Sequence, residues 1–354
     1  MDYFKVYSAS VPYDYKKWLQ FWESTPEQEL VAHPEYVKLF ASKSDSSLCA
    51  IFNSDDGLIM FPLILRSINA EKWAQDINQI FDITGPYGYA GPFCWGKPDY
   101  KIFWKEFDRW ANQNNVVSLF VRFSLFPEQL VPFNREVKVN SKHIVLDLDS
   151  NIEQIWMNYK HKVRNKFKRS SKFGLDIQID FEGKCLKNFI EVYYETLNRR
   201  NAADRYYFKE SFFLHLVNQL KGHFIFFNVL RNDMILASNL VLKSRNFLYS
   251  FLGGTVLEGL KYGATDFLKH NIIKWGVENK YKAFILGGGY VEDDGIYQFK
   301  KAFAPEGIKP CIIGTWVYDP ATYKDLINIR KRWERAEHNN DWSPNKGFFP
   351  LYRS

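Results

Sequence analysis

The chain has 354 residues, enough for two domains or one large one, and 46% of them are hydrophobic, as in a globular protein. It contains no run of about 18 apolar residues and no apolar stretch in MDYFKVYSAS, so we expect neither a transmembrane helix nor a signal peptide. The four cysteines lie far apart, without a CxxC pair or a histidine cluster. This spacing argues against structural zinc and disulfides and favours a reducing cytoplasm.

The formal charge of +7 suggests an anionic partner, with solubility alone as the alternative explanation.

The first 150 residues predict strands with interspersed helices. Residues 3–20 predict a strand and the start of a helix, and residues 34–40 predict a short helix. In LCAIFNSDDGLIMFPLILRSI, two apolar runs flank SDDG, which is a strong hairpin signal. After the loop TGPYGYAGPF, apolar residues near helical spacing predict a helix over 100–113, and a buried strand follows over 116–123.

The same order of elements recurs in the second half. HFIFFNVLRNDMILASNLVLKS predicts two strands with Asn232 and Asp233 at the turn, and a third strand, a helix and a fourth strand follow. Three positions at the helix-to-strand junction align between the halves: Trp110 with Trp275, Asn114 with Asn279, and Leu119 with Phe284. The pattern predicts an α/β fold that arose by duplication, with lobes 1–150 and 151–354, each a mixed, mostly antiparallel sheet flanked by helices. Chance similarity between two α/β segments is the alternative.

The most basic stretch of the chain, NYKHKVRNKFKRSSKFGLDIQID, lies between the two halves. Its apolar residues fall at helical spacing and predict one helix with a single apolar stripe, ended by Gly174: Trp156, Tyr159, Val163 and Phe167. Lysines and arginines flank both sides of the stripe, with no acidic residue from 160 to 175. We therefore expect Arg164 and Lys168 to bind an anionic donor. A solvated helix whose lysines complement the helix dipole is the alternative.

Two predicted helices follow, joined by a polar break. Polar and aromatic residues gathered at a helix end are typical of a substrate rim, with an exposed loop as the alternative. The acceptor-binding candidates at this break are Tyr194, Arg199, Arg200, Asn201 and Tyr207.

The strand FLYSFLGGT ends in residues that allow close approach of the backbone to a ligand. Gly253, Gly254 and Thr255 predict free backbone amides that face a carbonyl group or a cofactor pyrophosphate. Asn239, on the preceding strand, is a further acceptor-binding candidate because its amide can polarise a carbonyl group. The alternatives are a glycine bulge and an asparagine that satisfies a strand end.

The segment GGGYVEDDGIYQFKKAFAPEG, residues 287–307, concentrates the candidates for catalysis. Its triple glycine lacks a phosphate-loop pattern and predicts a tight turn into the site. Asp293 and Asp294 are candidate bases, although adjacent acids more often form a solvated turn. Tyr297 looks exposed and is a candidate acid or hydrogen-bond donor. Lys300 is a candidate to stabilise negative charge on a reacting carbonyl or a leaving phosphate, with a surface lysine as the alternative.

Four motifs, taken in order, resemble the FemAB-like branch of the GNAT superfamily, which includes peptidoglycan-bridge aminoacyltransferases and their polysaccharide-locus relatives. They are WxxYxxxVRNK from Trp156, YETLNRRNA from Tyr194, ASNLVL with YSFLGGT and GATDFLK from Ala237, and LGGG with DGIYQFKKAF from Leu286. The resemblance covers most of the chain from Trp156 onward. It implies tandem GNAT-like domains and transfer of an acyl group to an amine. The tail DWSPNKGFFPLYR looks like the C-terminus of polysaccharide-locus members.

The resemblance also implies roles for the last motif. It associates Phe299 and Lys300 with the acyl-donor end. Together with the candidates from residue chemistry above, this gives the predicted catalytic residues Lys300, Tyr297 and Asp294, without a metal. The predicted donor-binding set is Phe299, Lys301, Gly253, Gly254, Thr255, Arg164 and Lys168.

The implied donor is an acyl-CoA, such as acetyl-CoA, or an aminoacyl-tRNA. The implied acceptor is a nucleotide- or lipid-linked amino sugar or another cell-envelope precursor, in the cytoplasm. Two alternatives stay open: an aminoacyl-tRNA-dependent peptidoglycan-bridge peptidyltransferase, and a non-catalytic module that binds nucleic acid through the basic stretch.

Overall fold

The computed structural model describes residues 3–339 and 341–354. The chain divides into two compact units, residues 1–140 with 311–354, and residues 141–310. Across the described ranges, no helix is both long enough and apolar enough to cross a membrane.

The helices and strands follow one another in the order expected for an α/β protein. The first part of the chain forms β1 (Tyr3–Ser8), α1 (Pro12–Ser24), α2 (Pro34–Phe40), β2 (Ser46–Ser54), β3 (Gly57–Ser67), β4 (Phe81–Thr84), β5 (Phe93–Gly96), α3 (Tyr100–Gln113), β6 (Val116–Arg122) and β7 (Glu136–Asp147). The middle part forms α4 (Ile152–Asn158), α5 (His161–Ser170), β8 (Asp176–Asp180), α6 (Leu186–Arg199), α7 (Glu210–Gln219), β9 (Phe224–Arg231), β10 (Met234–Lys243), β11 (Phe247–Thr255), α8 (Leu257–Lys261), α9 (Ala264–Glu278), β12 (Ala283–Gly287) and α10 (Gly295–Lys301). The last part forms β13 (Ile308–Val317) and α11 (Pro320–His338).

The two units have the same sheet topology. In the first unit the strand order is β1-β2-β3-β4-β6-β13, and β5 also pairs with β3. In the second unit the order is β8-β9-β10-β11-β12-β7. In each unit one pair is parallel, β4 with β6 or β11 with β12, and the other pairs along these paths are antiparallel. The predicted mixed, mostly antiparallel sheets flanked by helices are confirmed, and the shared order supports duplication.

The helix-to-strand junctions are alike in atomic detail. Asn114 follows α3, and its side-chain amide donates to the carbonyl oxygen of Trp110 at 2.8 Å. Asn279 follows α9 and makes the same bond to Trp275 at 2.8 Å. An asparagine that satisfies a carbonyl group at a helix C-terminus ends the helix in the same way in both units. The alignment of the two halves predicted from sequence therefore corresponds to equivalent positions in the fold.

The C-terminal segment differs from the predicted division into lobes 1–150 and 151–354. In β13, residues 313–317 pair antiparallel with residues 118–122 of β6 and complete the sheet of the first unit. Residues 144–147 of β7 pair with β12 instead and complete the sheet of the second unit. The last strand of each sheet is thus supplied from a distant part of the chain. Local patterns in sequence carry no signal for such an exchange.

The β9–β10 hairpin has the turn that its sequence predicts. Asn232 and Asp233 both have positive φ angles, 49° and 63°. A two-residue hairpin turn with both residues in the left-handed region matches the twist of the strands, and Asn and Asp tolerate that region better than most residues.

The predicted single basic helix is wrong in one respect, because the stretch forms two helices, α4 and α5. The break falls at Tyr159 and Lys160. The guanidinium group of Arg164 donates at 2.6 Å to the carbonyl oxygens of Met157 and Tyr159, near the end of α4. These carbonyl groups lose their helical partners at the break, and Arg164 supplies the missing donors.

Helix α9 carries the core of the second unit. Its apolar residues pack with residues from β9 to β12, among them Leu248 and Phe284. Nine of its residues are buried, including the polar residues Asp266, Lys269 and His270. A helix this deeply buried is fixed to the sheet by its apolar contacts, so its polar side chains are held at defined positions.

The end of the chain is anchored in the first unit by a buried carboxylate, Asp82, which is 0% exposed. Its oxygens accept from Arg66 at 2.7 Å, from Arg353 at 2.6 Å and from the Tyr352 hydroxyl group at 3.0 Å. A carboxylate without contact to water is stable only when its charge is paired and its lone pairs are satisfied.

We expect Asp82→Ala to destabilise the first unit by about 3–5 kcal/mol, because Arg66, Arg353 and the Tyr352 hydroxyl group all lose their bonds to the buried carboxylate. Chemical denaturation, followed by tryptophan fluorescence, measures the change. The control is Asp341→Ala, which breaks an exposed ion pair with Arg335 and leaves the midpoint unchanged. Equal midpoints for Asp82→Ala and the native protein would show that the network does not anchor the tail.

Candidate active site

The central feature of the second unit is a gap between two parallel strands. β11 pairs with β12 through Phe247, Leu248 and Tyr249 only, and the last pair is Tyr249 with Ile285. β11 continues for six residues to Thr255 while paired with β10 on its other edge. The two strands therefore part beyond Tyr249. Strands that part expose the backbone groups of their inner edges to a ligand in the gap.

Lys300 lies at the end of β12. Its ammonium group donates to the carbonyl oxygen of Gly288 at 2.6 Å, just beyond the last residue of the strand. Burial lowers the pKa of Lys300 to about 8, and the charge of Asp294 opposes part of this shift. The structure thus fixes the predicted catalytic lysine beside the gap, with a pKa near neutral pH.

Asp294 is a helix cap. It precedes α10, and its carboxylate accepts from the backbone amides of Tyr297 at 2.7 Å, Tyr290 at 2.6 Å and Val291 at 3.2 Å. Burial raises the pKa of this carboxyl group, but the amide hydrogen bonds outweigh burial and lower the pKa below its usual value. A carboxylate held by three amides is a weak base, so this geometry favours a structural role over the predicted catalytic one.

The other predicted residues of α10 pack against the core or the groove. Tyr297 is 2% exposed, so the expectation that it is exposed is wrong. The Lys301 ammonium group lies 6.0 Å from the centre of the Tyr297 ring. Phe299 is partly buried, and its ring meets Phe303 edge-on with centroids 5.3 Å apart.

A groove of about 630 Å³ adjoins α10. Its basic lining residues are Lys166 and Arg169 of α5, Arg200 after α6, and Lys261 of α8, against two carboxylates, Asp266 and Asp294. Gly263, which precedes α9 and has a φ angle of 67°, also lines the groove. The N-terminus of a fifteen-residue helix carries free amides and a partial positive charge, so the groove suits an anion. Asp294 and Phe299 also line it, which connects the groove to the helix that carries Lys300.

Several predicted donor-binding residues lie elsewhere. The Arg164 guanidinium group is used at the end of α4, and Lys168 is exposed and does not line the groove. Gly254 packs against α6, where an added Cβ would lie 2.5 Å from the carbonyl oxygen of Val192. An added Cβ on Gly253 would lie 2.8 Å from the Ser238 carbonyl oxygen.

The predicted amide of Thr255 is also occupied, because it bonds to the hydroxyl group of Thr196 at 2.8 Å. Gly253, Gly254 and Thr255 thus hold α6 and β10 against β11. We see no free amide at Thr255 for a donor.

The polar break after α6 places aromatic rings near one another. Tyr194 and Tyr207 have ring centroids 5.8 Å apart, and their hydroxyl groups donate to the Phe208 carbonyl oxygen and to Asn198. Asn201 adopts a left-handed φ of 47°, which turns the chain at the break. Arg199 lies 3.6 Å from Glu195 in an ion pair. Arg200, predicted to bind the acceptor, instead lines the basic groove.

Asn239 belongs to a buried polar cluster at the start of the gap. Its side-chain oxygen accepts from the Lys269 ammonium group at 2.5 Å and from the Ser250 hydroxyl group at 3.1 Å. Lys269 also bonds to Ser250 at 2.5 Å. Burial lowers the pKa of Lys269 to about 7, and the charge of Lys300 adds to the effect. Asn239, which was predicted to bind the acceptor, thus holds Lys269 in place.

Lys269 and Ser250 are not among the residues that the sequence predicts for the site. Lys166 and Arg169 are not among the predicted donor-binding residues. Lys269 is one of several lysines in the second half, and periodicity alone marks it as one more polar residue of a helix. The one available signal was its placement between the apolar residues Phe267, Leu268 and Ile272 of a helix that is buried on most sides.

A second groove, of about 1120 Å³, lies between α6, β8 and the start of α8. Its charged lining residues are Asp180, Glu182, Glu191, Glu195, Asp233, Glu258, Lys184 and Lys261. This excess of carboxylates disfavours a phosphate-bearing donor. Within the described part of the chain, no group of three or more His, Cys, Asp or Glu side chains is placed to hold a metal ion.

Residues 157–301, which contain the gap, the basic groove and α10, match the acetyltransferase (GNAT) domain model. This segment of the chain therefore contains an acetyltransferase domain of the GNAT type. No curated protein sequence matches the chain. The match to the domain model confirms the predicted GNAT-like fold and the predicted class of reaction, acyl transfer.

Solved structures similar to this chain cover both of its units. FemX is 13% identical, with a TM-score of 0.64, and the match covers 88% of this chain and 97% of FemX. The C-terminal domain of a putative lysylphosphatidylglycerol synthetase from Agrobacterium fabrum is 13% identical, with a TM-score of 0.56 and coverage of 88% and 93%. A protein of unknown function from Bacteroides thetaiotaomicron is 11% identical, with a TM-score of 0.57 and coverage of 89% and 99%. These similarities establish the fold.

We expect Lys269→Met to raise the stability of the protein at pH 7. The unfolded chain keeps a lysine proton up to about pH 10.4, whereas Lys269 loses its proton near pH 7 in the folded state. Between these values the unfolded state binds one more proton, so native stability rises with pH. The advantage of Lys269→Met should therefore shrink from pH 7 to pH 10.

Thermal unfolding of both proteins across this pH range measures the difference. Lys274→Met, on the same helix, is the matched control because Lys274 is exposed and paired with Glu278. A variant Lys269→Met that is less stable than the native protein at pH 7 would contradict the assigned environment of Lys269.

Proposed function

We propose that the protein transfers an acyl group, acetyl or aminoacyl, from an activated donor to the amine of a nucleotide- or lipid-linked amino sugar. The observation that carries this proposal is the placement of α10. Its first residues line the basic groove, and Lys300 near its end is held beside the gap between β11 and β12. One short helix thus connects a site suited to an anion with a cation suited to a reacting carbonyl group.

Lys300 supplies the electrostatic part of the reaction. When an amine attacks a thioester or ester, negative charge develops on the carbonyl oxygen, and a nearby ammonium group stabilises it. Lys300 is tethered to Gly288, so it loses little freedom in the transition state. Protonated Lys300 is the active form, and rate should fall as pH rises through its pKa of about 8.

The donor that fits the groove carries phosphates and a nucleotide. Lys166, Arg169, Arg200 and Lys261 supply positive charge, and Phe299 and Tyr262 supply aromatic surface. A volume of about 630 Å³ lies within the range of small-molecule sites. A coenzyme A thioester and the terminal adenosine ester of an aminoacyl-tRNA share this chemistry.

The acceptor proposal rests on the aromatic residues near the polar break and on the polysaccharide-type motifs in the sequence. Phe251 of β11 lies close to Phe208 and Phe212, with ring centroids 6.5 and 6.3 Å apart. Aromatic faces suit the apolar face of a sugar ring, while nearby amide and hydroxyl groups can fix its orientation. We also propose a cytoplasmic location, where both kinds of donor are available.

A peptidoglycan-bridge peptidyltransferase that uses aminoacyl-tRNA is the second candidate within the same chemistry. The GNAT domain disfavours the other alternative, a non-catalytic module that binds nucleic acid through the basic stretch. The basic stretch also has defined structural tasks, since Arg164 satisfies the end of α4 and Lys166 pairs with Asp266 at 3.7 Å.

The first test supplies purified protein with acetyl-CoA or aminoacyl-tRNA, each with UDP-linked amino sugars or a peptidoglycan precursor. We expect coenzyme A release, or loss of the aminoacyl ester, that depends on an amino-sugar acceptor, with the N-acylated sugar identified by mass spectrometry. Turnover of aminoacyl-tRNA with the peptidoglycan precursor alone favours the second candidate. Consumption of neither donor with any amine contradicts both.

The second test separates catalysis from donor binding. Lys300→Met should lower kcat about 10²–10³-fold, because it removes a charge that acts on the transition state. Arg169→Ala should instead raise the donor KM about tenfold with little change in kcat, because a charged contact to phosphate is lost. Lys221→Ala is the control, since Lys221 is exposed and lies outside the groove. Full activity of Lys300→Met would show that Lys300 does not take part in the reaction.

A further inference from the structure

The reaction needs a group that takes a proton from the amine, and the geometry of Asp294 does not favour that role. The buried cluster of Lys269, Asn239 and Ser250 has no role in the chemistry described so far. Lys269 is 8% exposed and Asn239 is 3% exposed. Ser250 is the first residue of β11 after its last pair with β12, so the cluster lies where the gap begins.

The orientation of Asn239 is fixed by its own hydrogen bonds. Its amide nitrogen donates to the carbonyl oxygen of Leu252 at 2.5 Å and to that of Leu240 at 3.2 Å. Carbonyl groups accept hydrogen bonds and do not donate them, so the nitrogen must face these two residues. The side-chain oxygen of Asn239 therefore faces Ser250 and Lys269 and accepts from both.

The orientation of Ser250 follows from that of Asn239. Its hydroxyl group has one hydrogen, which it donates to the Asn239 oxygen at 3.1 Å. The same hydroxyl oxygen then accepts from Lys269 at 2.5 Å. Lys269 is thus a donor in both of its hydrogen bonds, to Ser250 and to Asn239.

These two bonds leave one position on the Lys269 nitrogen. The nitrogen is tetrahedral, with one bond to the side-chain stem and two N–H groups directed at Asn239 and Ser250. In the neutral amine the remaining position is a lone pair, which the cluster holds in a fixed direction. A general base requires a lone pair of fixed direction near the reacting groups, and Ser250, which bonds to this nitrogen, lies where the gap begins.

The surroundings of Lys269 favour the neutral amine. β10 contributes Asn239, β11 contributes Ser250, and β12 contributes Phe284, whose ring centre lies 5.4 Å from the nitrogen. The charged group that acts on Lys269 is Lys300 of α10, which repels a second positive charge.

The other titratable groups beside it on α9 have partners of their own. Asp266 lies 3.7 Å from Lys166 of α5, and His270 bonds to Tyr159 at 3.3 Å. Among the described residues, no carboxylate therefore shares a hydrogen bond or an ion pair with Lys269 to hold it charged.

We propose that Lys269 is the general base that accepts the proton of the attacking amine, which rests on the acyl-transfer function proposed above. The amine nitrogen forms the new C–N bond and passes its proton to the lone pair of Lys269. The bond from the carbonyl carbon to the donor sulfur or oxygen breaks, and its electron pair leaves with that atom. The leaving atom takes a proton from the Lys300 ammonium group. Lys269 and Lys300 together carry one positive charge before and after the transfer. Proton exchange with water then returns Lys269 to its neutral form and Lys300 to its charged form.

The pH profile of kcat/KM is the test, with Lys269→Met as the variant and Lys274→Met as its matched control. The native protein should give a bell-shaped profile, because Lys269 must be neutral and Lys300 charged. Lys269→Met should lower kcat about 10²–10⁴-fold and lose the acidic limb, with the donor KM within about twofold of the native value. A lysine that only positions other groups would lower the rate equally at every pH, and that outcome overturns the proposal.

Asn239→Asp should move the acidic limb of the pH profile, whereas Lys269→Met should abolish it. A carboxylate in place of the amide should hold Lys269 in its charged form and move the acidic limb to higher pH by about one unit or more. An acidic limb that stays in place in Asn239→Asp would also contradict the assignment of that limb to Lys269.

A titration without turnover separates failure of this proposal from failure of the proposed function. Lysine labelled with carbon-13 at Cε reports its own protonation by NMR, and the Lys269 signal is assigned by its absence in Lys269→Met. A midpoint near pH 7 supports the proposal even if the correct substrates have not been found. A midpoint above about 9, within reach of the ordinary lysine value, overturns it whatever the activity.

Discussion

The parting of β11 and β12 after three residue pairs is the constraint on which the site depends. Two features separate the strands. Gly254 lets β11 approach α6, where an added Cβ would lie 2.5 Å from the Val192 carbonyl oxygen. Gly287 ends β12 with a φ of 81°, a left-handed conformation that suits glycine. β11 thus stays with α6 while the chain after β12 turns away, and the site opens between them.

The gap carries a cost in stability, because two lysines with depressed pKa values lie beside it. The apolar contacts of α9 offset this cost and hold Lys269 in place. The equivalent position in the first unit shows what the fold uses there when no polar cluster is present. The alignment that pairs Trp275 with Trp110 places Trp104 at the position of Lys269. Trp104 is buried beside Phe61 and Phe107, so the first unit fills the equivalent position with an aromatic ring. The polar cluster is a property of the second unit.

Much of the fold could be predicted from the sequence because its signals are local. Turn residues such as Asn232 and Asp233, and helix ends such as Asn114 and Asn279, act through their own backbone. The exchange of β7 and β13 between the two sheets could not be predicted, because it depends on pairing between distant strands. At the site, Lys300 was selected by its motif, and its tether to Gly288 is consistent with that choice. Lys269 was missed because its environment exists only after α9 packs on the sheet.

A crystal structure with a thioether analogue of acetyl-CoA, whose acyl group cannot transfer, would show whether the donor reaches the gap and Lys300. We expect phosphates against Arg169 and Lys166 in the basic groove and the acyl carbonyl oxygen within about 3.2 Å of the Lys300 nitrogen. The acyl group should enter the gap between β11 and β12, on the side of Lys269. An analogue that occupies the acidic groove beside Asp180 and Glu191, or whose carbonyl group lies away from Lys300, would contradict this expectation.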